Sequence, residues 1–102
     1  MLKRLMGKIF RKTEVDAEIQ RVQLEQSLKR SKDTLQVHLL RHSKYCQEES
    51  QQRQTAIQLA QNGNRERSLF HVQCALRLRK QMATMQAIIG NIQDSIYQLE
   101  VT

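Results

Sequence analysis

The chain has 102 residues, 17 Lys and Arg against 10 Asp and Glu, a formal net charge of +7, 4% aromatic residues and neither Trp nor Pro. That length allows one domain, and so few aromatics argue against a large globular core. The positive balance points to an anionic partner, membrane or nucleic acid, without choosing between them. No run of about 18 apolar residues is present to span a bilayer.

Residues 1–12 contain no acid. At helical spacing Leu2, Leu5, Met6, Ile9 and Phe10 gather on one side, and Lys3, Arg4, Lys8, Arg11 and Lys12 spread over the other. A segment so divided can lie in a membrane interface, its apolar face at the acyl boundary and its cations among anionic headgroups. A disordered basic tail or a helix packed on a partner would use the same residues. Basic residues interrupt every apolar run, so the segment does not read as a secretory signal.

Thr13-Glu14-Val15-Asp16 reads as a helix start, with Thr13 as the cap and Glu14, Asp16 and Glu18 near the positive end of the helix dipole. The helix it opens is expected to run from about residue 14 to 61. Its apolar stripe is Leu24, Leu28, Leu35, Leu39, His42, Cys46, Ile57 and Ala60. Between Cys46 and Ile57 the run Gln47–Gln54 is almost wholly polar, which predicts the weakest part of the seam there. Lys29, Arg30, Arg41 and Lys44, with Val37 and Leu40 among them, fall opposite the stripe, as a solvated helix face would.

Gln61-Asn62-Gly63-Asn64-Arg65-Glu66-Arg67 carries the one helix-stopping signal inside a long helix-forming stretch. Gly63 suits the position just past a helix end because it adopts positive φ without steric cost. Asn64 can then cap a second helix, expected over about 65–101. A turn this short sends the chain back on itself. The fold expected is all-α: a long antiparallel two-helix hairpin, coiled-coil-like, over 13–102, preceded by a short amphipathic segment over 1–12.

The second helix has the clearer stripe: Phe70, Cys74, Leu78, Met82, Met85, Ile89, Ile92, Ile96 and Leu99, in steps of three and four. Reversal at Gly63 sets Leu99 opposite about Ser27, so the first helix overhangs the second. Val15, Ile19 and Val22 lie on that overhang with nothing in the chain to cover them, which makes them a candidate self-assembly contact.

The same register sets Cys46 opposite about Lys80, roughly 9 Å along the axis from Cys74 and beyond disulfide reach. Two unpaired thiols suit the cytosol. His38, His42 and Cys46 share a helical face at spacing suitable for metal ligation, but no fourth ligand is evident, and His42 and Cys46 belong to the stripe. There is no phosphate-binding glycine loop and no nucleophile in a recognisable setting. A two-helix seam offers no water-excluding cleft either, so neither catalysis nor a metal or cofactor is expected.

Gly63-Asn64-Arg65-Glu66-Arg67-Ser68, Phe70-His71 and Ala75-Leu76-Arg77-Leu78-Arg79-Lys80 together resemble the hairpin of ESCRT-III subunits, the charged multivesicular body proteins. That family tends to have a glycine at the tip, a small residue five on, and an apolar-Arg-x-basic-basic run in the second helix. Gly63, Ser68 and Leu76–Lys80 fall on those positions. Gly7-Lys8-Ile9-Phe10-Arg11-Lys12 resembles the opening of members that insert their N-terminus into membrane. Each motif is loose, though together they cover nearly the whole chain.

The resemblance implies a membrane-remodelling subunit, peripheral on endosomal or other cytosol-facing membranes, that binds anionic lipid and polymerises with itself or with other ESCRT-III subunits. Leu2, Lys3, Arg4, Leu5, Lys8, Ile9, Phe10, Arg11 and Lys12 would make the membrane contact. Family members carry further helices and an acidic tail after the hairpin, and these hold autoinhibition and the site for a disassembling AAA ATPase. The resemblance therefore assigns no ATPase contact to these 102 residues. The front end looks like the early, nucleating subunits and the second helix partly like the later ones. A nucleic-acid-binding or purely structural basic coiled coil is the alternative. No base-reading module is visible, however, and aromatics for stacking are few.

Overall fold

A computed structural model describes the backbone of residues 2–102 and the side chains from Lys12 onward. The chain forms two helices, α1 (Leu2–Gln61) and α2 (Arg65–Val101), packed antiparallel as one long hairpin. The reversal at Asn62–Asn64 closes as a glycine-terminated helix end. The Asn64 N–H donates to the Leu59 carbonyl at 2.9 Å and the Gly63 N–H to the Ala60 carbonyl at 3.1 Å. Gly63 has φ +81°, and a Cβ there would meet nothing within 4 Å. Backbone conformation, not space, therefore calls for glycine. Asn64 Oδ1 then accepts from the Arg67 N–H at 3.3 Å and caps α2.

α1 differs from expectation at its start. It begins at Leu2, so Thr13 lies inside the helix and not at its start, and residues 2–12 do not form a separate element. Leu, Met, Lys and Arg are all good helix formers, and adding turns to an existing helix costs far less than nucleating one. The helix simply propagates back through the segment, Gly7 included.

The seam is a heptad repeat more regular than the apolar residues suggest. On α1 it runs through Leu24, Leu28, Ser31, Leu35, His38, His42, Tyr45, Glu49, Gln52, Ala56 and Leu59. On α2 it runs through Ser68, His71, Ala75, Leu78, Met82, Met85, Ile89, Ile92, Ile96 and Leu99. Steps of four and three alternate throughout, and every one of these side chains is buried or half-buried. This is the pattern that keeps one face of each helix against its partner along a left-handed supercoil.

Six residues assigned to the stripes are therefore off the seam, four of them exposed and two, Cys46 and Cys74, half-buried. Leu39, Ile57 and Ala60 each sit one position after a seam residue (His38, Ala56 and Leu59), and Phe70 sits one before His71; all four are exposed. One residue is about 100° of helix, enough to turn a side chain from the seam to the flank. Cys46 and Cys74 adjoin the seam half-buried, as free thiols.

The two ends of the hairpin are held by different chemistry. From Leu78 to Leu99 the seam is apolar on α2 and contains the buried Met85, Ile89 and Ile96. Near the turn it is built from Ala56, Ser68 and Ala75, small enough for the backbones to approach closely. At the open end Lys32 Nζ pairs with Glu100 at 3.3 Å across the helices. Beyond that point α1 continues alone, and every side chain from Lys12 to Gln23 is exposed.

Ile89→Ala should lower the free energy of urea unfolding, followed by circular dichroism, by about 2–4 kcal/mol. Phe70→Ala, on the exposed flank, should change it by no more than about 0.5 kcal/mol. Equal losses at the two positions would mean that the seam is misassigned.

Candidate interaction surfaces

Three regions follow from this geometry: a polar layer beside the turn, an apolar groove on one flank of that layer, and the solitary end of α1. The polar layer occupies the stretch expected to be the weakest. Glu49 is only 6% exposed, and its two carboxylate oxygens separate two guanidinium partners. Arg79 Nε donates to Oε1 across the seam at 3.0 Å, and Arg53 lies 3.5 Å from Oε2 one turn along α1. His71 Nδ1 donates to Gln52 Oε1 at 2.6 Å, and Ser68 Oγ donates to the Ala56 carbonyl at 2.8 Å. Each polar seam residue here meets a partner on the opposite helix, so a run with no apolar content still locks the register.

His38, His42 and Cys46, which share a helical face, make different contacts. His38 Nδ1 donates to the Thr34 carbonyl at 2.9 Å, while His42 Nδ1 lies 3.7 Å from Cys46 Sγ. His42 Nε2 is buried without a hydrogen-bond partner. Among the described residues no group of three or more His, Cys, Asp or Glu side chains converges as a metal site would require.

The apolar groove was not foreseen. Ile57 and Ala60 from α1 and Leu69, Val72 and Leu76 from α2 border it, and Ala56, Ser68 and Ala75 make its floor. It opens to solvent on one flank of the turn, and Arg53, Arg65 and Arg79 stand at its rim. Of the cations near the turn only Arg53 and Arg79 have a carboxylate partner among the described residues, and they share it. The signal was present in the sequence: Leu69-x-x-Val72-x-x-x-Leu76 repeats the seam spacing one residue out of phase with Ser68, His71 and Ala75.

The expected self-assembly residues lie on the solitary part of α1. Val15, Ile19 and Val22 are 56%, 49% and 42% exposed. They form one ridge with a shallow depression bordered by Glu18 and Gln23, and Glu18 also pairs with Arg21. For the expected membrane contact, Lys12 is exposed, and the side chains of Leu2, Lys3, Arg4, Leu5, Lys8, Ile9, Phe10 and Arg11 lie outside the described residues. Their backbone is the first part of α1, so they extend the same rod. On the outer face of α1, Lys29, Arg30, Arg41 and Lys44 are exposed together with Val37 and Leu40. Among the described residues no helix is long and apolar enough to cross a membrane.

Comparison of the chain with protein-family models, with curated proteins and with solved structures gave no match. The hairpin therefore stands on its own geometry, and the class of protein it defines is an elongated two-helix coiled coil with one helix projecting.

In a double-mutant cycle on urea unfolding, Glu49→Ala and Arg79→Ala should couple by about 0.5–1.5 kcal/mol, the modest value reflecting the half-exposed arginine. Strictly additive losses would remove the cross-seam pair from the account.

Proposed function

We propose that the chain is an ESCRT-III-like membrane-remodelling subunit. It binds anionic, cytosol-facing membrane through residues 1–12 and polymerises, with itself or with related subunits, into filaments that deform and sever membrane in endosomal sorting. It works by assembly and catalyses no reaction.

The observation that supports this most is the asymmetry of the hairpin. α1 outruns α2, its described part from Lys12 to Gln23 is exposed on all sides, and it leads back without a break into the stretch where cations and bulky apolar residues segregate. A lone helix gains little from water: isolated helical segments are marginal, and the bare Val15–Ile19–Val22 ridge adds apolar exposure. A membrane surface at one end of the projection and a neighbouring subunit along its length would each relieve that. A contact that joins the projecting end of one copy to the turn end of the next is heterologous, and such contacts build open polymers when they do not close into rings.

Deleting residues 1–12 should abolish co-sedimentation with phosphatidylserine-containing liposomes while leaving the remaining helicity intact. Each cation near an anionic surface contributes roughly 1 kcal/mol and the apolar side chains add a comparable amount each. Undiminished liposome binding by the truncated protein would contradict the proposed membrane contact, and DNA binding stronger than liposome binding would favour a nucleic-acid partner. For assembly, analytical ultracentrifugation should show oligomers that grow with concentration and shift to monomer in Ile19→Asp. A monomer at every concentration and salt would remove the filament.

A further inference from the structure

The solitary ridge of α1 and the groove beside the turn lie at opposite ends of the molecule and match in length and spacing. From Val15 to Val22 is seven residues, and so is Leu69 to Leu76, about 10 Å of helix in each case. The ridge steps by four and then three; the groove wall steps by three and then four. Two helices with these steps mesh when they run antiparallel, with Val22 level with Leu69, Ile19 with Val72 and Val15 with Leu76. Ile57, on the other wall, completes the channel for the ridge. All of these side chains are exposed in the single chain.

We propose that the α1 ridge of one copy docks in the turn-end groove of the next, so that the partner of this groove is a second copy of the chain. This rests on the assembly reading above and says where the contact is made. A ridge antiparallel to the neighbour's α2 is parallel to the neighbour's α1. That is the relation produced by sliding a copy along its own long axis, so one contact repeated in the same sense gives a head-to-tail strand. Locally the arrangement is three helices, with the small residues Ala56, Ser68 and Ala75 leaving room for the incoming one.

Net charge favours the same pairing, though not at every level. The solitary helix from Lys12 onward carries Glu14, Asp16 and Glu18 against Lys12 and Arg21, with Glu25 just past it, while the turn end carries Arg53, Arg65, Arg67, Arg77, Arg79 and Lys80 against Glu48, Glu49 and Glu66. In the meshed register Glu14 comes level with Arg77, whereas Glu25 comes level with Glu66, a like-charge match one residue from Arg65. Lys12 comes level with Arg79, an unfavourable match that Glu49 moderates by holding the Arg79 guanidinium. An anionic membrane would compete for the arginines but would repel the acids that flank the ridge.

The test is disulfide trapping in a chain whose native thiols are replaced (Cys46→Ser, Cys74→Ser), with helicity checked by circular dichroism. Chains bearing Ile19→Cys are mixed with chains bearing Val72→Cys under mild oxidation at concentrations where sedimentation shows oligomers. The expected result is a mixed 19–72 disulfide at least tenfold more abundant than the mixed product with Tyr97→Cys, an exposed α2 site outside the groove. Oligomers that give no 19–72 excess, or mainly 19–19 product, would overturn the groove contact while leaving assembly standing. Failure to form oligomers at all would overturn both.

Discussion

A hairpin of two helices has no second core to fall back on, so its structure depends on one seam keeping one register. That register is fixed where the seam is least hydrophobic. Apolar side chains such as Met85 and Ile89 supply adhesion, but adhesion tolerates sliding by a heptad, since one apolar layer resembles the next. Glu49 with Arg79, Gln52 with His71, and Ser68 with the Ala56 carbonyl do not tolerate it. Displacing them by one layer would leave the buried Glu49 carboxylate and Ser68 hydroxyl without these partners, each at a cost of about 1–3 kcal/mol, and the half-buried Gln52 amide at a smaller one. The polar layer thus contributes uniqueness, and the far half of the seam contributes most of the hydrophobic stabilisation.

The position of everything else follows. With Gly63 setting the reversal and the polar layer setting the register, the Glu100 end of α2 is brought beside Lys32, and the described part of α1 before about Leu24 has no helix packed against it. The projection is not a frayed end added to a hairpin; it is the remainder left by unequal helix lengths in a fixed register. The same polar layer shapes the groove. Near the turn small residues hold the seam positions, and Ile57, Val72 and Leu76, each one residue past a seam position, are left on the flank and not in the core. Both proposed contacts are thus consequences of how one seam is built.

Much of this was legible in the residues. Gly63 and Asn64 announced the turn with their chemistry, and Leu78 to Leu99 announced one helix face through unbroken apolar spacing. The seam near the turn was not legible from hydrophobicity, because its positions are held by Glu49, Gln52, Ser68 and His71. Weighting apolar residues alone drew the assignment one residue aside, to Ile57 in place of Ala56 and to Phe70 in place of His71, and this concealed the groove those displaced residues border. Strict four-three counting, blind to polarity, recovers both helices. Thr13 misled in a different way: its capping chemistry is real, but a cap residue ends a helix only if the preceding residues prefer not to be helical, and Leu2–Lys12 do not.

Rod, projection and exposed ridge together make the central claim one of assembly on a membrane surface. Electron microscopy of the chain incubated with vesicles of phosphatidylserine and phosphatidylcholine, beside vesicles of phosphatidylcholine alone, tests it most directly. The account predicts filaments coating and deforming the anionic vesicles and leaving the neutral ones bare. Anionic vesicles that bind the protein yet stay smooth, spherical and free of ordered polymer would contradict it.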